Sequence, residues 1–329
     1  MKTPDFWRKD SKSLMPHLLA PAAWAYGGMS RLHRSLQKSH TVEVPVICVG
    51  NVVAGGAGKT PVAVAIARFV LTEGKRPHFL TRGYGGQLKG PVRVVPDVHQ
   101  FADVGDEALI LCSTATTWVA QDRVAGARAA IRAGAEVIIM DDGFQNPSLS
   151  KDFSLLVLDA DYQAGNGRLL PAGPLRETLA SGLDRADAVI LVGGKVDTNI
   201  YNWLNKYKPV FNSRLLPMQN SEAIAGETVV AFAGIGRPEK FFDSLRAAGC
   251  QLTDCFSYED HHVYNTEEIM KMVEVAAARN AALVTTRKDY VRLSMEVRMM
   301  VSVFDVEMNF EAPAELQKLL LSVLEVRHT

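Results

Sequence analysis

The sequence predicts an α/β fold: a mostly parallel sheet covered by helices on both faces, followed by a smaller second α/β domain. Three observations carry this. Short continuous apolar runs alternate with helix-patterned segments from residue 44 onward, as strands buried on both faces do. A glycine-rich turn joins the first of these runs to an apolar-periodic helix. A second alternating series begins after Gly226, beyond a polar stretch. The 329 residues suffice for two domains with separate cores, and 47% apolar against 22% charged residues excludes a disordered or collagen-like chain.

In chain order, residues 1–40 form a separate N-terminal segment. It holds seven Lys or Arg against two acids, Asp5 and Asp10, so the zero net charge of the chain hides a cationic head on an acidic body. The neutral total argues against a nucleic-acid binder working through a global basic field. Residues 14–29 are strongly apolar but contain Pro16, His17 and Pro21. The stretch falls short of the roughly 20 apolar residues that span a bilayer, and no small-residue cleavage site marks a secretory signal. Two readings stand side by side. One is an amphipathic helix in the membrane interface, with Leu14, Leu18, Leu19, Trp24 and Tyr26 in the headgroup boundary and Arg8, Lys9, Lys12, Arg31 and Arg34 on anionic lipid. The other is a helix packed on the body. Cys48, Cys112, Cys250 and Cys255 are scattered without a CxxC pair, as in proteins of a reducing compartment.

Residues 41–220 form the first α/β domain. Strands are expected at 44–49, 78–81, 136–140, 154–159 and 188–192, with helices at 59–71 and 122–133. Residues 221–329 form the second, with strands at 228–233, 282–285 and 301–304 and helices at 238–248 and 266–278. The polar stretch 217–227 reads as the hinge, and the last helix, 314–326, could pack on either domain.

The most specific chemistry lies in Val46-Ile-Cys-Val-Gly-Asn-Val-Val-Ala-Gly-Gly-Ala-Gly-Lys-Thr60, a strand, a glycine-rich turn and a helix start. This is the setting of a phosphate-binding P-loop, and it makes the first sheet one of the P-loop kinase type. The backbone from Gly55 through Gly56, Ala57 and Gly58 can approach phosphate oxygens, Lys59 can reach the β and γ phosphates, and the Thr60 hydroxyl can ligate Mg²⁺. Val53 stands where the general pattern has glycine, so the loop is a variant. A P-loop needs a carboxylate at the end of a neighbouring strand, and Glu136-Val-Ile-Ile-Met-Asp-Asp-Gly-Phe-Gln145 offers Asp141 and Asp142. Adjacent strand residues face opposite ways, so one is expected near the metal and the other near substrate. Arg82, in Thr81-Arg-Gly-Tyr-Gly-Gly86, could meet an anion at the same sheet edge. Asp106 and Glu107 read as a helix start, and Asp260-His261-His262 as a loop after a strand ending near Tyr258; neither cluster carries a claim alone.

The ordered set GNVxxGGxGKTP, TRGYGG, GDE, DDGFQ, LLPAGPLRE, DHH and TTRKD resembles the tetraacyldisaccharide 4'-kinase family, the lipid A 4'-kinases, from about Val44 to Tyr290. The resemblance implies transfer of the ATP γ-phosphate to the 4'-hydroxyl of a tetraacylated glucosamine disaccharide 1-phosphate, at the cytoplasmic face of the bacterial inner membrane. It implies a glycolipid substrate and an anionic membrane surface as partners, with no nucleic acid and no obligate protein partner. It implies Asp106 as general base, paired with a histidine of DHH; family position favours His261 over His262. It assigns Lys59 and Thr60 to phosphate and Mg²⁺, associates Asp141, Asp142, Gln145 and Glu177 with Mg²⁺ or its water shell, and sets Arg82 near phosphate. The variant Val53 is shared with that family, whereas Arg287 replaces its more usual glutamate. The competing reading is a P-loop GTPase or metallochaperone-type NTPase, on the NKxD-like Gly194-Lys-Val-Asp197. Against it, Met140 stands where the aspartate of DxxG would precede Gly143.

Overall fold

The structure, a computed structural model, describes residues 4–56, 58–194 and 198–325. In chain order β1 is Val46–Gly50, β2 Pro77–Thr81, β3 Val92–Arg93, β4 Thr117–Val119, β5 Val137–Asp141, β6 Phe153–Asp159, β7 Ala188–Val192, β8 Val210–Pro217, β9 Thr228–Ala233, β10 Gln251–Ser257, β11 Ala282–Thr286, β12 Ser302–Phe304 and β13 Val306–Phe310. A nine-stranded sheet runs β13-β8-β7-β6-β1-β5-β2-β4-β3, and a four-stranded sheet runs β10-β9-β11-β12. The large sheet is parallel except for its two edge pairs, β13 with β8 and β3 with β4.

Its central strands β1, β2, β5, β6 and β7 are buried along their whole length, which is why they read as unbroken apolar runs. One face packs Ile47, Val49, Ile139 and Leu155 on the apolar side of the helix Lys59–Thr72. The other packs Val46, Cys48, Ile138 and Leu156 with Phe144, Leu175 and Leu183. β1 lies between β5 and β6, so the loop leaving its carboxyl end opens at the point where the strand order reverses, the usual place for a ligand in an open α/β sheet.

The small sheet is parallel throughout and has a core on each face, one around Phe241, Phe242 and Leu245, the other around Ile269, Met272 and Leu293. Its strands come from residues 228–304, not from the whole of 221–329. After β12 the chain returns to the large sheet, where β13 pairs with β8 and the helix Pro313–Leu324 buries Leu316, Leu320 and Val323 against the first core.

At the N-terminus, helices cover Met15–Leu18 and Ala20–Leu36. Ala23 is the buried residue of the longer one, while Leu18, Trp24, Met29, Leu32 and Leu36 are more than half exposed. Met29, Leu32 and Leu36 follow i, i+3, i+7 spacing and share one side of the helix. Among the described residues no helix is long and apolar enough to cross a membrane.

Candidate active site

The P-loop geometry follows from its flanks. Val53 is buried and bridges to Leu175, and the Ala54 N–H donates to the Pro174 carbonyl at 2.8 Å, so the first half of the loop is strapped to the LLPAGPLRE segment. The Val53 side chain also packs in the apolar core that includes Leu175, which a glycine would forfeit, and this gives the variant loop a structural reason. Gly55 and Gly58 take positive φ of 118° and 81°, backbone that side chains rarely adopt. Ala57 lies outside the described residues. The helix begins at Lys59, whose buried ammonium stands 3.7 Å from Asp142 Oδ1 and 3.4 Å from the Gly55 carbonyl.

Strand register brings the first carboxylate in. Val49 of β1 pairs with Asp141 at the end of β5, so Asp141 meets the helix start just beyond the loop. There the Thr60 hydroxyl donates to Asp141 Oδ2 at 2.9 Å. Asp141 Oδ1 is buried without a hydrogen-bond partner among the described residues. Burial, the nearby Glu107 carboxylate and Asp142 outweigh Lys59 and push the Asp141 carboxyl up to about 7. A buried carboxylate with an orphaned oxygen beside a P-loop hydroxyl suits a hard divalent cation, and these two residues are the ones placed to hold Mg²⁺.

Asp142 has a positive φ of 52° and turns away to other partners. Arg176 Nη1 lies 3.2 Å from both of its oxygens. Burial alone would raise the Asp142 pKa, but Lys59 and Arg176 outweigh it and hold the group below the usual carboxylate range. Gln145 donates to the Asn51 carbonyl at 2.6 Å and to Glu177 Oε1 at 3.2 Å, and accepts from Arg176 at 3.2 Å. Glu177 was expected in the metal shell, yet both its oxygens are engaged by protein. Arg185 bonds Oε1 at 2.7 Å, while Ser181 at 3.2 Å and Arg34 of the N-terminal helix bond Oε2. Arg82 is exposed at the end of β2, near Arg123, whose guanidinium is lowered to about 10 by burial and by the Arg82 charge.

The two weak motifs meet in space. Asp106 starts the helix Asp106–Cys112 packed on the large sheet, and His261 sits in the loop beyond β10 of the small one. His261 Nδ1 is 3.0 Å from Asp106 Oδ2. His261 has φ 62°, and its backbone N–H donates to the Gly234 carbonyl at 3.1 Å. His262 is occupied elsewhere: stacked on Tyr258 at 4.5 Å, with Nε2 3.2 Å from Glu268, so the ambiguity within DHH resolves to His261 as the neighbour of Asp106. Burial would raise the Asp106 pKa, but the His261 hydrogen bond and the charges of Lys288 and Arg292 hold it well below the usual range.

Between the sheets lies a cleft of about 1980 Å³. Gly55, Lys59, Thr60 and Glu107 line one side, and Glu259, Asp260 and Lys288 the other. A second bridge spans it where Asp159, at the end of β6, receives Arg237 and, at 3.0 Å, Lys240. Sequence reasoning set Arg34 on anionic lipid, whereas it binds Glu177; it quoted Arg176 only within LLPAGPLRE, and it passed over Arg292. Their carboxylate partners are 143, 34 and 186 residues away, so no local pattern could have flagged these pairings. Of the guanine-reading candidate, Lys195 to Asp197 lie outside the described residues.

The chain is similar over most of its length to proteins of one family. The model of the LpxK family, tetraacyldisaccharide-1-phosphate 4'-kinase, matches residues 15–325. A tetraacyldisaccharide 4'-kinase of Paramagnetospirillum magneticum is 49% identical over 320 residues, covering 97% of this chain and 98% of that protein. One of Parvibaculum lavamentivorans is 50% identical over 299 residues, covering 89% and 87%. The crystal structure of an "apo" form of LpxK from Aquifex aeolicus in complex with ATP superposes with a TM-score of 0.75 at 27% identity, covering 94% of this chain and 99% of that one.

Proposed function

The chain belongs to the tetraacyldisaccharide 4'-kinase family, and from that membership we infer that it is an ATP-dependent kinase of lipid A biosynthesis, phosphorylating the 4'-hydroxyl of a tetraacyl glucosamine disaccharide 1-phosphate. The observation that carries this reading is the meeting of Asp106, on the large-sheet side that carries the P-loop, with His261 of the small-sheet side, next to the cleft-lining Glu107 and Asp260. In the proposed reaction the sugar oxygen forms a bond to the γ-phosphorus as the bond from that phosphorus to the β,γ-bridging oxygen breaks. Asp106 accepts the hydroxyl proton and His261 holds the carboxylate in place. Lys59, with the backbone of Gly55, Gly56 and Gly58, binds the transferring phosphate, and Arg82 is assigned to an anionic group of the substrates. Thr60 and Asp141 would hold Mg²⁺, which when bound supplies charge neutralisation of the phosphates. Asp142 keeps Lys59 and Arg176 in place, and Gln145 and Glu177 support that arrangement from behind.

The two sheets are proposed as domains that close on ATP and lipid, with the dyad complete only in the closed form. A crosslink that holds the cleft open and leaves turnover unchanged would refute this. The exposed Leu18, Met29, Leu32 and Leu36, beside Arg8, Lys9, Lys12 and Arg31, are proposed to lie in the interface of an anionic membrane, making the enzyme peripheral or monotopic at the cytoplasmic face. Deleting residues 1 to about 25 is expected to weaken sedimentation with anionic vesicles far more than ATP binding; equal losses would favour a purely structural segment.

The direct test of the activity is incubation with ATP, Mg²⁺ and the detergent-solubilised disaccharide 1-phosphate, followed by mass spectrometry. One added phosphate is expected. No product from folded protein would overturn the kinase reading, and strong selectivity for GTP would favour the GTPase alternative.

A further inference from the structure

We propose that Arg292 is a positioning residue for the phosphoryl-transfer step: it keeps Asp106 ionised, loads one carboxylate oxygen and leaves the other to receive the acceptor hydroxyl. The inference rests on the reading of Asp106 as the proton acceptor.

Arg292 and Asp106 are both buried, with side-chain exposures of 1% and 3%, and come from different sheets. Arg292 Nε donates to Asp106 Oδ2 at 2.8 Å, and Nη2 bonds the same oxygen. With His261 at 3.0 Å, Oδ2 is surrounded by donors, whereas Oδ1 accepts the Glu107 backbone N–H at 2.8 Å and retains a lone pair. The asymmetry selects Oδ1 for the sugar hydroxyl.

The guanidinium cannot swing away freely. Its Nη1 donates to the Gly234 carbonyl at 2.9 Å and to Asp289 Oδ1 at 3.1 Å. Asp289 is itself fixed by the Gly234 N–H and the Tyr264 hydroxyl, each at 2.9 Å, and by the Thr286 hydroxyl at 2.6 Å. The Gly234 carbonyl also receives the His261 backbone N–H, so both small-sheet partners of Asp106 hang from one atom. That common reference makes their spacing a property of the small sheet. A Cβ at Gly234 would fall 2.8 Å from the Tyr264 hydroxyl and 3.1 Å from Asp289 Oδ1, so the junction has no room for a larger residue.

The charged groups around Asp106 are Glu107 on its own helix and, from the small-sheet side, Asp260, His261, Lys288, Asp289 and Arg292. A buried carboxylate without its cation takes up a proton and ceases to be an acceptor. Arg292 opposes that protonation from inside the junction, where solvent screening is weakest. Lys288, 3.4 Å from both Asp260 and His261 Nε2, acts through the outer side of the dyad.

The test compares Arg292→Met, Arg292→Lys and Asp106→Asn in steady-state turnover from pH 5 to 9, with ATP affinity measured separately as a check on folding. Arg292→Met is expected to lower kcat by ~10²-fold, as for loss of a positioned acid–base group, to change ATP affinity less than about twofold, and to move the acid limb of the pH profile upward. Arg292→Lys keeps the charge, so the acid limb should stay near wild type. A single ammonium cannot reach Asp106, Gly234 and Asp289 together, so kcat should recover only in part. Wild-type kcat in Arg292→Lys, or a loss in Arg292→Met with an unmoved acid limb, overturns the positioning role. If Arg292→Met does not fold, the Lys variant decides alone: kcat lowered with ATP affinity intact supports the proposal, and unchanged kcat overturns it. Full activity in Asp106→Asn would instead refute the base assignment, whereas an inactive Asp106→Asn beside unaffected Arg292 variants refutes the Arg292 proposal alone.

Discussion

Replacing Glu177 by Gln separates two roles for a carboxylate that sequence associates with the metal and structure ties to the N-terminal helix. Gln is nearly isosteric but has one acceptor oxygen. Arg34 bonds Oε2 and Arg185 bonds Oε1, so an amide cannot satisfy both. One charge-assisted hydrogen bond is lost outright and the other becomes neutral. Such bonds contribute about 1.5 to 3 kcal/mol each; because Arg34 is 20% exposed, the lower end applies to the bond that holds the helix. The helix Ala20–Leu36 has Ala23 as its buried residue, so little apolar packing stands behind that bond. Losing ~1.5 kcal/mol of docking makes local opening roughly tenfold more frequent, read directly as faster amide exchange across residues 20–36. Half-saturation by Mg²⁺ should stay within about twofold of wild type, whereas loss of a group supporting a metal ligand typically costs ~10 to 100-fold. A large rise in the Mg²⁺ requirement with unchanged exchange would refute the reasoning and return Glu177 to the metal shell. The pH dependence has a definite sign. Burial alone would raise the Glu177 pKa, but Arg185 and Arg34 outweigh it and hold it below the usual carboxylate range. The docking contribution is therefore full above the ordinary carboxylate range and is lost as pH falls through the lowered folded value, so wild-type exchange, corrected for its intrinsic rate, should rise only in acid.

Three further outcomes follow from the geometry. Lys59→Ala and Asp106→Ala should each lower lipid phosphorylation by orders of magnitude, with Asp106→Ala sparing ATP binding, since Asp106 is no part of the phosphate loop and is held instead by His261 and Arg292; isothermal titration checks the second point. Gly50→Ala would place a Cβ 2.5 Å from Phe144 Cβ and 3.0 Å from its backbone nitrogen, between β1 and the turn after β5. Overpacking of this kind costs about 1 to 3 kcal/mol, and the shift of Asp141 and Asp142 should depress turnover beyond what thermal unfolding accounts for. Asp159→Asn weakens the second bridge to Arg237 and Lys240; it should widen the inter-sheet distance distribution in a fluorescence-transfer measurement and raise the KM for ATP, and an unaltered distribution would exclude Asp159 as a tether.

What the sequence made legible is what short-range physics encodes. The central strands announce themselves because burial on both faces forces unbroken apolar runs, and the P-loop because close approach of backbone to phosphate forces glycines at fixed spacing. β13 escaped notice for the same reason in reverse. It lies at a sheet edge with one side to solvent, and its half-exposed residues, among them Glu307, dilute the apolar signal. The junction around Asp106 was half legible. Asp106 and His261 could be paired through a family resemblance, but nothing near position 292 distinguishes an arginine buried between two aspartates from one dissolved in water. Its role is fixed by the return of β11 and the helix Arg287–Tyr290 to the rim of the cleft, a consequence of the order β10-β9-β11-β12 and not of any local pattern. That order also gives the junction its use. Asp106 is carried by the sheet that holds the phosphate loop, while Arg292 and His261 are referenced to one carbonyl of the other, so a displacement between the sheets moves both partners of the base together. If the cleft opens as proposed, the base loses both partners at once, and ATP bound in the open cleft meets no complete proton acceptor to activate water.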